Sequence, residues 1–368
     1  MDRQYQELMA YPSSRFGMAP SNRWISLCSL MREYQAPPKS VSLDRERKWE
    51  MASALQKSIR RADMAVALSV VSAIADMPDE YGYFWKRLCV TACEDVGLAD
   101  DELVKFVVAC SSVFTPKRTG AKNYDLLCFL VAQMCGLHTR SRVYCSLGII
   151  QEATKQVGQM ASSPTDAEIL SAIAQREAML LAPANQEEEW MRANDWRAER
   201  LLRFIGLRFP MEMIEEPGPM PPYQMLFGLP SYCYDLHTRV GKQMLNELLR
   251  GARGAVGIKE FFLQYKIISA QKALGYALFF AEGGRIEKEL LYAPLCDLEQ
   301  RLIARQHGLA LDTWVRLMAL VKDALATGIV DEIRNEELQR AYGNADTAAP
   351  FLSSRPDRES QQGVLNFQ

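Results

Sequence analysis

Apolar residues recur at helical spacing along most of the chain, and residues 85–99 (WKRLCVTACEDVGLA) show the pattern clearly. Leu88 and Val96 fall on one face of a helix at this spacing. Gly97 is a natural helix stop, and the aspartates at positions 100 and 101 are suitable N-cap residues for a second helix. The stretch therefore predicts a helical corner.

The same periodicity predicts helices on both sides of this corner. Asp63 is placed to cap a helix that is apolar on nearly all sides, and such a helix is usually buried. Proline, glycine or polar residues interrupt the pattern between one predicted helix and the next. The predicted helices cover residues 44–61, 64–75, 101–114, 124–134, 190–209, 286–307 and 312–326.

Both ends of the chain differ in composition from the predicted helices between them. Residues 1–42 contain four prolines and are predicted to be an irregular N-terminal segment. One apolar run within them, residues 24–34 (WISLCSLMREY), has helical spacing. It is either a short helix packed on its own domain or a docking segment for a partner protein. Residues 343–368 are rich in polar residues and proline, which predicts a disordered tail.

A linker-like stretch, PANQEEE at residues 183–189, divides the predicted helices into two groups. We therefore predict an all-α fold with two helical domains, residues 43–183 and 190–342. Within the second domain, residues 282–285 (EGGR) predict a turn.

Composition narrows the class of protein. The chain has 368 residues, of which 48% are hydrophobic, and a formal net charge of −2. This charge gives no general attraction to nucleic acid, so a DNA-binding surface would have to be a local basic patch. The sequence has no apolar run of membrane-spanning length and no signal-peptide pattern at its N-terminus, which predicts a cytoplasmic protein.

The cysteine pattern predicts neither disulfides nor a metal site. The chain has nine cysteines and no CxxC pair. Most of them lie in apolar helical patterns, which is typical of buried free thiols in a reducing compartment. Cys89 and Cys93 are one helical turn apart, but none of the three histidines lies near them. We predict no metal and no cofactor.

Two phrases of the first domain carry a family resemblance: LQKSIRRADMAVALSVVSAI at residues 55–74 and KRLCVTACEDVGLAD at residues 86–100. With a third phrase at residues 130–146, they make residues 54–159 resemble the segment that follows the ATPase core in the MgsA/RarA family. That family includes the Werner-helicase-interacting ATPases and is related to clamp loaders. The matching residues are Leu55, Lys57, Ser58, Arg60, Asp63, Ala67, Leu68, Arg87, Leu88, Glu94, Asp95, Gly97, Leu98, Ala99 and Asp100.

In that family the segment is the helical collar that holds together the subunits of an ATPase of replication-fork maintenance. The resemblance therefore implies a collar-like helical bundle and self-association. The chain has no GxxxxGK[ST] phosphate-binding loop, so the family's ATPase core is absent from this sequence. The sequence therefore resembles a stand-alone relative that has the collar but lacks the ATPase core, of the kind expected in a phage genome.

Glu94 and Asp95 lie at the bend of the predicted corner, next to Gly97. A catalytic or metal-binding role for two adjacent acids would require a further carboxylate or a metal ion. We expect instead a structural role, in which the two acids bond backbone groups of the corner or pair with Arg87.

A second cluster of polar residues opens the helix predicted after residue 237. It contains Asp235, His237, Thr238, Arg239 and Lys242. One interpretation is that Asp235 and Thr238 cap the helix while His237 packs in the core. A second is contact with DNA or another anion, and a third is acid–base catalysis by Asp235 and His237. Catalysis would require a second acid or nucleophile, and the sequence shows none nearby.

Two stretches are locally basic. Residues 111–160 contain six Lys or Arg against two acids, and residues 238–272 contain seven against two. Such a surplus is either a solvated helix face or a surface for DNA phosphates. Tyr144, Tyr232 and Tyr234 lie near the basic residues in sequence and are candidates for base stacking. The predicted DNA-binding residues are Lys117, Arg118, Lys122, Arg140, Arg142, Asp235, His237, Thr238, Arg239 and Lys242.

These observations favour a non-catalytic accessory protein of DNA replication or repair. It would self-associate or dock on replisome subunits of the ATPase or clamp-loader type, and it would contact DNA through its basic patches. One alternative is a protein-binding module that mimics the collar of a host replication ATPase. The other is a hydrolase-like enzyme that uses Asp235 and His237.

Overall fold

The computed structural model describes residues 2–39, 45–114, 123–141, 212–214, 221–283, 289–291 and 293–343, apart from positions 17, 76, 138, 139 and 268, together with the single helical residues 167 and 171. Several sequence predictions fall outside these residues: the linker at 183–189, the helix at 190–209 and the tail from residue 344 onward.

The fold is all-α, as the sequence predicts. Thirteen α-helices lie in the described parts of the chain. They are α1 (Asp2–Tyr11), α2 (Asn22–Glu33), α3 (Lys48–Arg60), α4 (Met64–Ala75), α5 (Tyr81–Thr91), α6 (Asp101–Val113), α7 (Tyr124–Gly136), α8 (Arg239–Arg250), α9 (Val256–Tyr265), α10 (Ala270–Gly283), α11 (Ala293–Gln306), α12 (Leu311–Ala326) and α13 (Ile329–Tyr342).

Two small antiparallel ribbons accompany the helices. Strand β1 (Glu212–Ile214) pairs with β4 (Glu289–Leu291), and β2 (Met225–Leu226) pairs with β3 (Leu229–Pro230). The β2–β3 turn is made by Phe227 and Gly228, which both have positive φ, as a two-residue hairpin turn of type I′ requires. Strand β4 lies where the sequence predicted the start of a helix, and pairing with a strand about 75 residues earlier overrides the local helical pattern.

The predicted caps are confirmed. The backbone N–H of Leu103 donates to Asp100 Oδ1 at 2.9 Å, and the N–H of Val66 donates to Asp63 Oδ1 at 3.2 Å. Gly97 ends the corner with a φ of +50°. Its Cβ, if it had one, would lie 2.8 Å from the backbone oxygen of Ser141, so glycine is required there by space as well as by φ.

The prediction that residues 1–42 are irregular was wrong. They contain α1 and α2, and α2 buries Trp24, Leu27 and Cys28 in the core against α6. The apolar run at 24–34 therefore forms most of a helix packed on the rest of the first cluster, as one of the two interpretations held, while Ile25 remains 42% exposed. Its N-terminus is capped by Ser21, whose Oγ accepts a hydrogen bond from the Trp24 N–H at 3.1 Å.

The second half differs from expectation at two more places. Helix α10 continues through Glu282 to Gly283, where the sequence predicted a turn, because Glu282 is held by Arg334 of α13. Helix α13 itself was missed, since its polar and apolar positions have weak helical periodicity. The first difference comes from a contact between two helices that are distant in sequence, and the second comes from the weak pattern of α13 itself.

Two hydrophobic clusters form the core. The first joins α1–α7 with the segment at 226–240, and the second joins α8–α13. The segment before α8 thus packs into the first cluster, with Leu229, Cys233 and Tyr234 fully buried there. Within the described residues, no helix combines the length and the apolar character that a membrane span needs.

Candidate functional site

The residues of the two main family-like phrases meet at one corner of the first cluster. Arg60 of α3 forms an ion pair through Nε with Oδ1 of Asp95, and both side chains are almost completely buried. Gln56 Nε2 donates to Glu94 Oε2 at 2.6 Å, and Arg87 Nη2 donates to Gln56 Oε1 at 2.6 Å. The acids therefore bond side chains of α3, and Arg87 reaches them through Gln56 rather than by a direct hydrogen bond.

This corner gives Glu94 an unusual protonation equilibrium. Burial raises the pKa of its carboxyl group, and the adjacent charge of Asp95 raises it further. Arg87, Arg60 and the hydrogen bond from Gln56 act in the opposite direction without cancelling the rise. The two acids of the corner therefore differ: Asp95 is ion-paired with Arg60, while Glu94 accepts a hydrogen bond from Gln56 and has a raised pKa.

Arg140 completes the corner from the third phrase. Its guanidinium donates to the backbone oxygens of Ile59, Leu137 and Cys135 at 3.3, 2.6 and 2.7 Å. Only 3% of the residue is exposed, and burial lowers its pKa. The predicted DNA contact by Arg140 is therefore corrected: the side chain is used inside the protein, where it ties the ends of α3 and α7 together.

Lys57 links α3 to the segment before α8. Its Nζ lies 2.9 Å from Asp235 Oδ2, and it also donates to the backbone oxygen of Tyr232. Burial alone would raise the pKa of Asp235, but Lys57 and His237 lower it below its usual value. Asp235 is buried, so its predicted contact with DNA is likewise corrected to an internal ion pair.

Thr238 caps α8, as one interpretation of the sequence held. Its Oγ1 accepts a hydrogen bond from the Gly241 N–H at 3.0 Å and donates to the Asp235 backbone oxygen at 3.0 Å. Thr238 is buried and is not available to DNA. His237 is exposed, so it does not pack in the core, and its backbone N–H donates to Asp235 Oδ1 at 2.9 Å.

The outer face of α8 is exposed and basic. Arg239 and Lys242 point to the surface, and among the described residues neither forms an ion pair. Asn246 is also exposed, and its Oδ1 accepts a hydrogen bond from Gln271 Nε2 of α10 at 2.8 Å. Arg250 at the end of the helix pairs with Glu247 at 2.6 Å. This face is the candidate nucleic-acid interface.

The other residues predicted to contact DNA are either buried or outside the described part of the chain. Tyr232 and Tyr234 are buried and cannot stack on bases. Trp49 is 55% exposed, more than any other large aromatic side chain in the described part of the chain, and it packs edge-on against Tyr83. Lys117, Arg118, Lys122, Arg142 and Tyr144 lie outside the described residues.

Sequence reasoning missed two further buried cations. Arg334 is fully buried and holds Glu282 through two hydrogen bonds of 2.6 and 2.8 Å, with Asp331 at 2.9 Å. Arg47 bonds Glu50 Oε2 and the hydroxyl of Tyr234, both at 2.7 Å. Their partners lie up to 187 positions away, and no local pattern distinguishes these arginines from exposed ones.

The polar residues of the corner are mostly engaged with one another. A cavity of about 10 Å³ between α3 and α10, lined by Arg61, Tyr232 and Phe279 among others, has room for about one water molecule. Within the described ranges, no group of three His, Cys, Asp or Glu residues is arranged to hold a metal ion.

No protein-family model, curated protein or solved structure matches the chain. The likeness to the collar of replication ATPases thus rests on the sequence phrases alone.

Proposed function

We propose that the protein is a non-catalytic accessory factor of DNA replication or repair. It contacts DNA through the outer face of α8 and self-associates, or docks on replisome subunits, through its helical bundle. The observation that carries the DNA contact is the exposure of Arg239 and Lys242 at the start of α8, where neither has an ion-pair partner among the described residues.

This placement is unfavourable for the helix itself. The N-terminal end of a helix carries partial positive charge, so acids are stabilising there and cations are not. Helix α8 has no acid in its first turn and has Arg239 there instead. Two cations at the positive end of a helix make a surface that attracts phosphate groups, and this supports a polyanion as the ligand.

The proposed role in DNA replication or repair rests on the buried corner that contains Arg60 and Asp95. Arg60 and Asp95 lie 35 positions apart in sequence, and Arg140 lies 81 positions from Ile59, yet these residues of the three collar-like phrases meet at one place. A collar of this kind holds protein subunits together, which supports a role in assembly. The engagement of these polar side chains with each other supports a structural rather than a catalytic corner.

Exposed apolar residues favour protein binding as a second candidate function. Val256 and Leu263 of α9 are 48% and 67% exposed, and Val315 of α12 is 56% exposed. The two helices are neighbours, joined by a hydrogen bond of 2.9 Å from Arg316 Nη1 to the Tyr265 hydroxyl. Apolar side chains of this size at the surface are typical of interfaces, so this face suits a partner protein or another subunit.

The test is binding of the purified protein to single-stranded, duplex and forked DNA across a salt series, with its mass in solution recorded. Binding should weaken steeply as salt rises. The variant Arg239→Ala/Lys242→Ala should bind about tenfold more weakly, with a salt slope smaller by about two, because about two phosphate contacts are lost.

The matched control is Arg305→Ala/Lys322→Ala, which removes the same two residue types from exposed positions on α11 and α12. It should bind as the unchanged protein does. Equal loss in both double variants would reject α8 as the contact surface. A defined oligomer that binds no DNA would reject the DNA role and favour the protein-binding candidate.

A further inference from the structure

The outer face of α8 carries more than charge. Arg239, Lys242, Gln243, Asn246 and Arg250 follow one another at steps of one, three and four residues, so they lie within about 100° of the helix circumference. The opposite face buries Val240, Met244, Leu245 and Leu248. Cations thus stand at both ends of the stripe and amides stand in its middle.

The stripe has the chemistry that reads base edges. Asparagine and glutamine pair with adenine through one donor and one acceptor, and arginine or lysine pairs with guanine. A stripe that only attracts phosphates needs no amides. At 1.5 Å per residue it is about 16 Å long, which suits a helix lying in a major groove about 12 Å wide.

Asn246 is held in position. Gln271 Nε2 donates to Asn246 Oδ1 at 2.8 Å and to the backbone oxygen of Lys242 at 3.0 Å. Within the described part of the chain Nδ2 of Asn246 has no acceptor, so the amide is fixed with Nδ2 able to donate and with one lone pair of Oδ1 able to accept. Those are the two groups that a bidentate contact with adenine N7 and N6 requires. A fixed amide loses less conformational entropy on binding than a free one.

We propose that α8 lies in the major groove of duplex DNA, with Asn246 contacting an adenine and Gln271 acting as its positioning residue. The proposal rests on the proposed DNA contact by α8 and adds sequence preference to it. Arg239 and Lys242 would contact the backbone at the N-terminal end of the helix and set its register.

The experiment is selection from a pool of duplexes with a randomised central segment, followed by affinity measurement on the enriched sequence. The unchanged protein should enrich a site containing a fixed adenine. Asn246→Ala should lose about tenfold in discrimination between that adenine and other bases, with an unchanged salt slope. Gln271→Ala should lose discrimination too, while Gln264→Ala, an exposed amide of α9, should change neither quantity.

A second measurement leaves the protein unaltered. Replacing the selected adenine by 7-deazaadenine removes the N7 acceptor from the major groove and should weaken binding about tenfold at that position only. Duplex binding without enrichment, or tighter binding to single strands than to duplex, would overturn the major-groove proposal and leave the proposed function standing. Absence of binding to any DNA would overturn both.

Discussion

The ammonium group of Lys57 lies 2.9 Å from Oδ2 of Asp235, and this ion pair joins α3 to the segment that leads into α8. Lys57 belongs to the first family-like phrase, and Asp235 belongs to the polar cluster at the start of α8. The same Asp235 accepts the His237 N–H and offers its backbone oxygen to Thr238. The capping turn of the proposed DNA-binding helix is therefore anchored on α3.

Asp235→Asn tests this anchor. The amide still offers an acceptor to the His237 N–H, but the largely buried Lys57 loses its carboxylate. We expect the free energy of unfolding to fall by about 2–3 kcal/mol in urea titrations, because a poorly solvated charge is left unpaired. Lys57→Met in the same chain should recover part of the loss. Glu247→Gln, which breaks the exposed pair with Arg250, should change it by less than about 1 kcal/mol.

The same pair sets a pH dependence. The pKa of Asp235 is lowered in the folded protein, so its contribution to stability is present above the ordinary aspartate pKa and is lost as pH falls through the lowered one. Urea titrations of the unchanged protein and Asp235→Asn between about pH 6 and pH 3 should therefore converge at the acid end. A constant difference across this range would contradict the assignment.

For Glu94 we expect the opposite dependence of stability on pH. Burial and the charge of Asp95 raise its pKa, so the folded state favours the protonated acid, and this contribution is lost as pH rises through the raised value. Glu94→Gln keeps an acceptor for Gln56 and removes the charge. The variant should have a higher melting temperature than the unchanged protein at neutral pH, and the gain should disappear in acid. A melting temperature below that of the unchanged protein at neutral pH would show that the ionised form is favoured.

Gly241 tests the close packing of the turn on α8. A Cβ at this position would lie 1.8 Å from the backbone oxygen of Asp235, so Gly241→Ala must push the turn away from the helix. We expect a loss of about 3 kcal/mol, measured by urea titration, because backbone atoms cannot yield as a side chain can. Gly82→Ala in α5 is the matched control, since a Cβ there has open space. It should be neutral or stabilising by up to about 1 kcal/mol.

What the sequence predicts well is local. The caps at Asp63, Asp100 and Thr238 and the turn at Gly97 depend on residues within four positions of each other, and the structure has them all. Helix α12 also begins and ends within a residue of its predicted bounds. These features follow from side-chain chemistry and periodicity that a short stretch contains completely.

What the sequence could not predict is which charged residues become buried. Arg140 and Arg239 look alike in sequence, because each directly follows a histidine and a threonine. Arg140 is buried by carbonyl groups at the ends of α3 and α7, while Arg239 remains exposed on α8. The difference arises from neighbours up to 81 positions away, and no local signal contains it.

Arg140 and Arg239 therefore give a prediction that separates structure from binding. Arg140→Ala removes the guanidinium that donates to three backbone oxygens and should lower the free energy of unfolding by about 2–3 kcal/mol, because hydrogen bonds from a charged group to buried carbonyls are costly to lose. Arg239→Ala should change stability by less than about 0.5 kcal/mol, since it removes an exposed side chain that forms no ion pair with any described residue.

Their effects on DNA should be reversed. At a temperature where both variants remain folded, Arg140→Ala should keep the affinity and salt slope of the unchanged protein, and Arg239→Ala should reduce the slope by about one. Circular dichroism at the binding temperature controls for folding. A fully folded Arg140→Ala with a reduced salt slope would mean that Arg140 reaches DNA after all, and that the corner opens when DNA binds. An unchanged slope would support a purely structural role, in which Arg140 stabilises the end of α3. Helix α3 carries Lys57, whose ion pair with Asp235 holds the turn before α8.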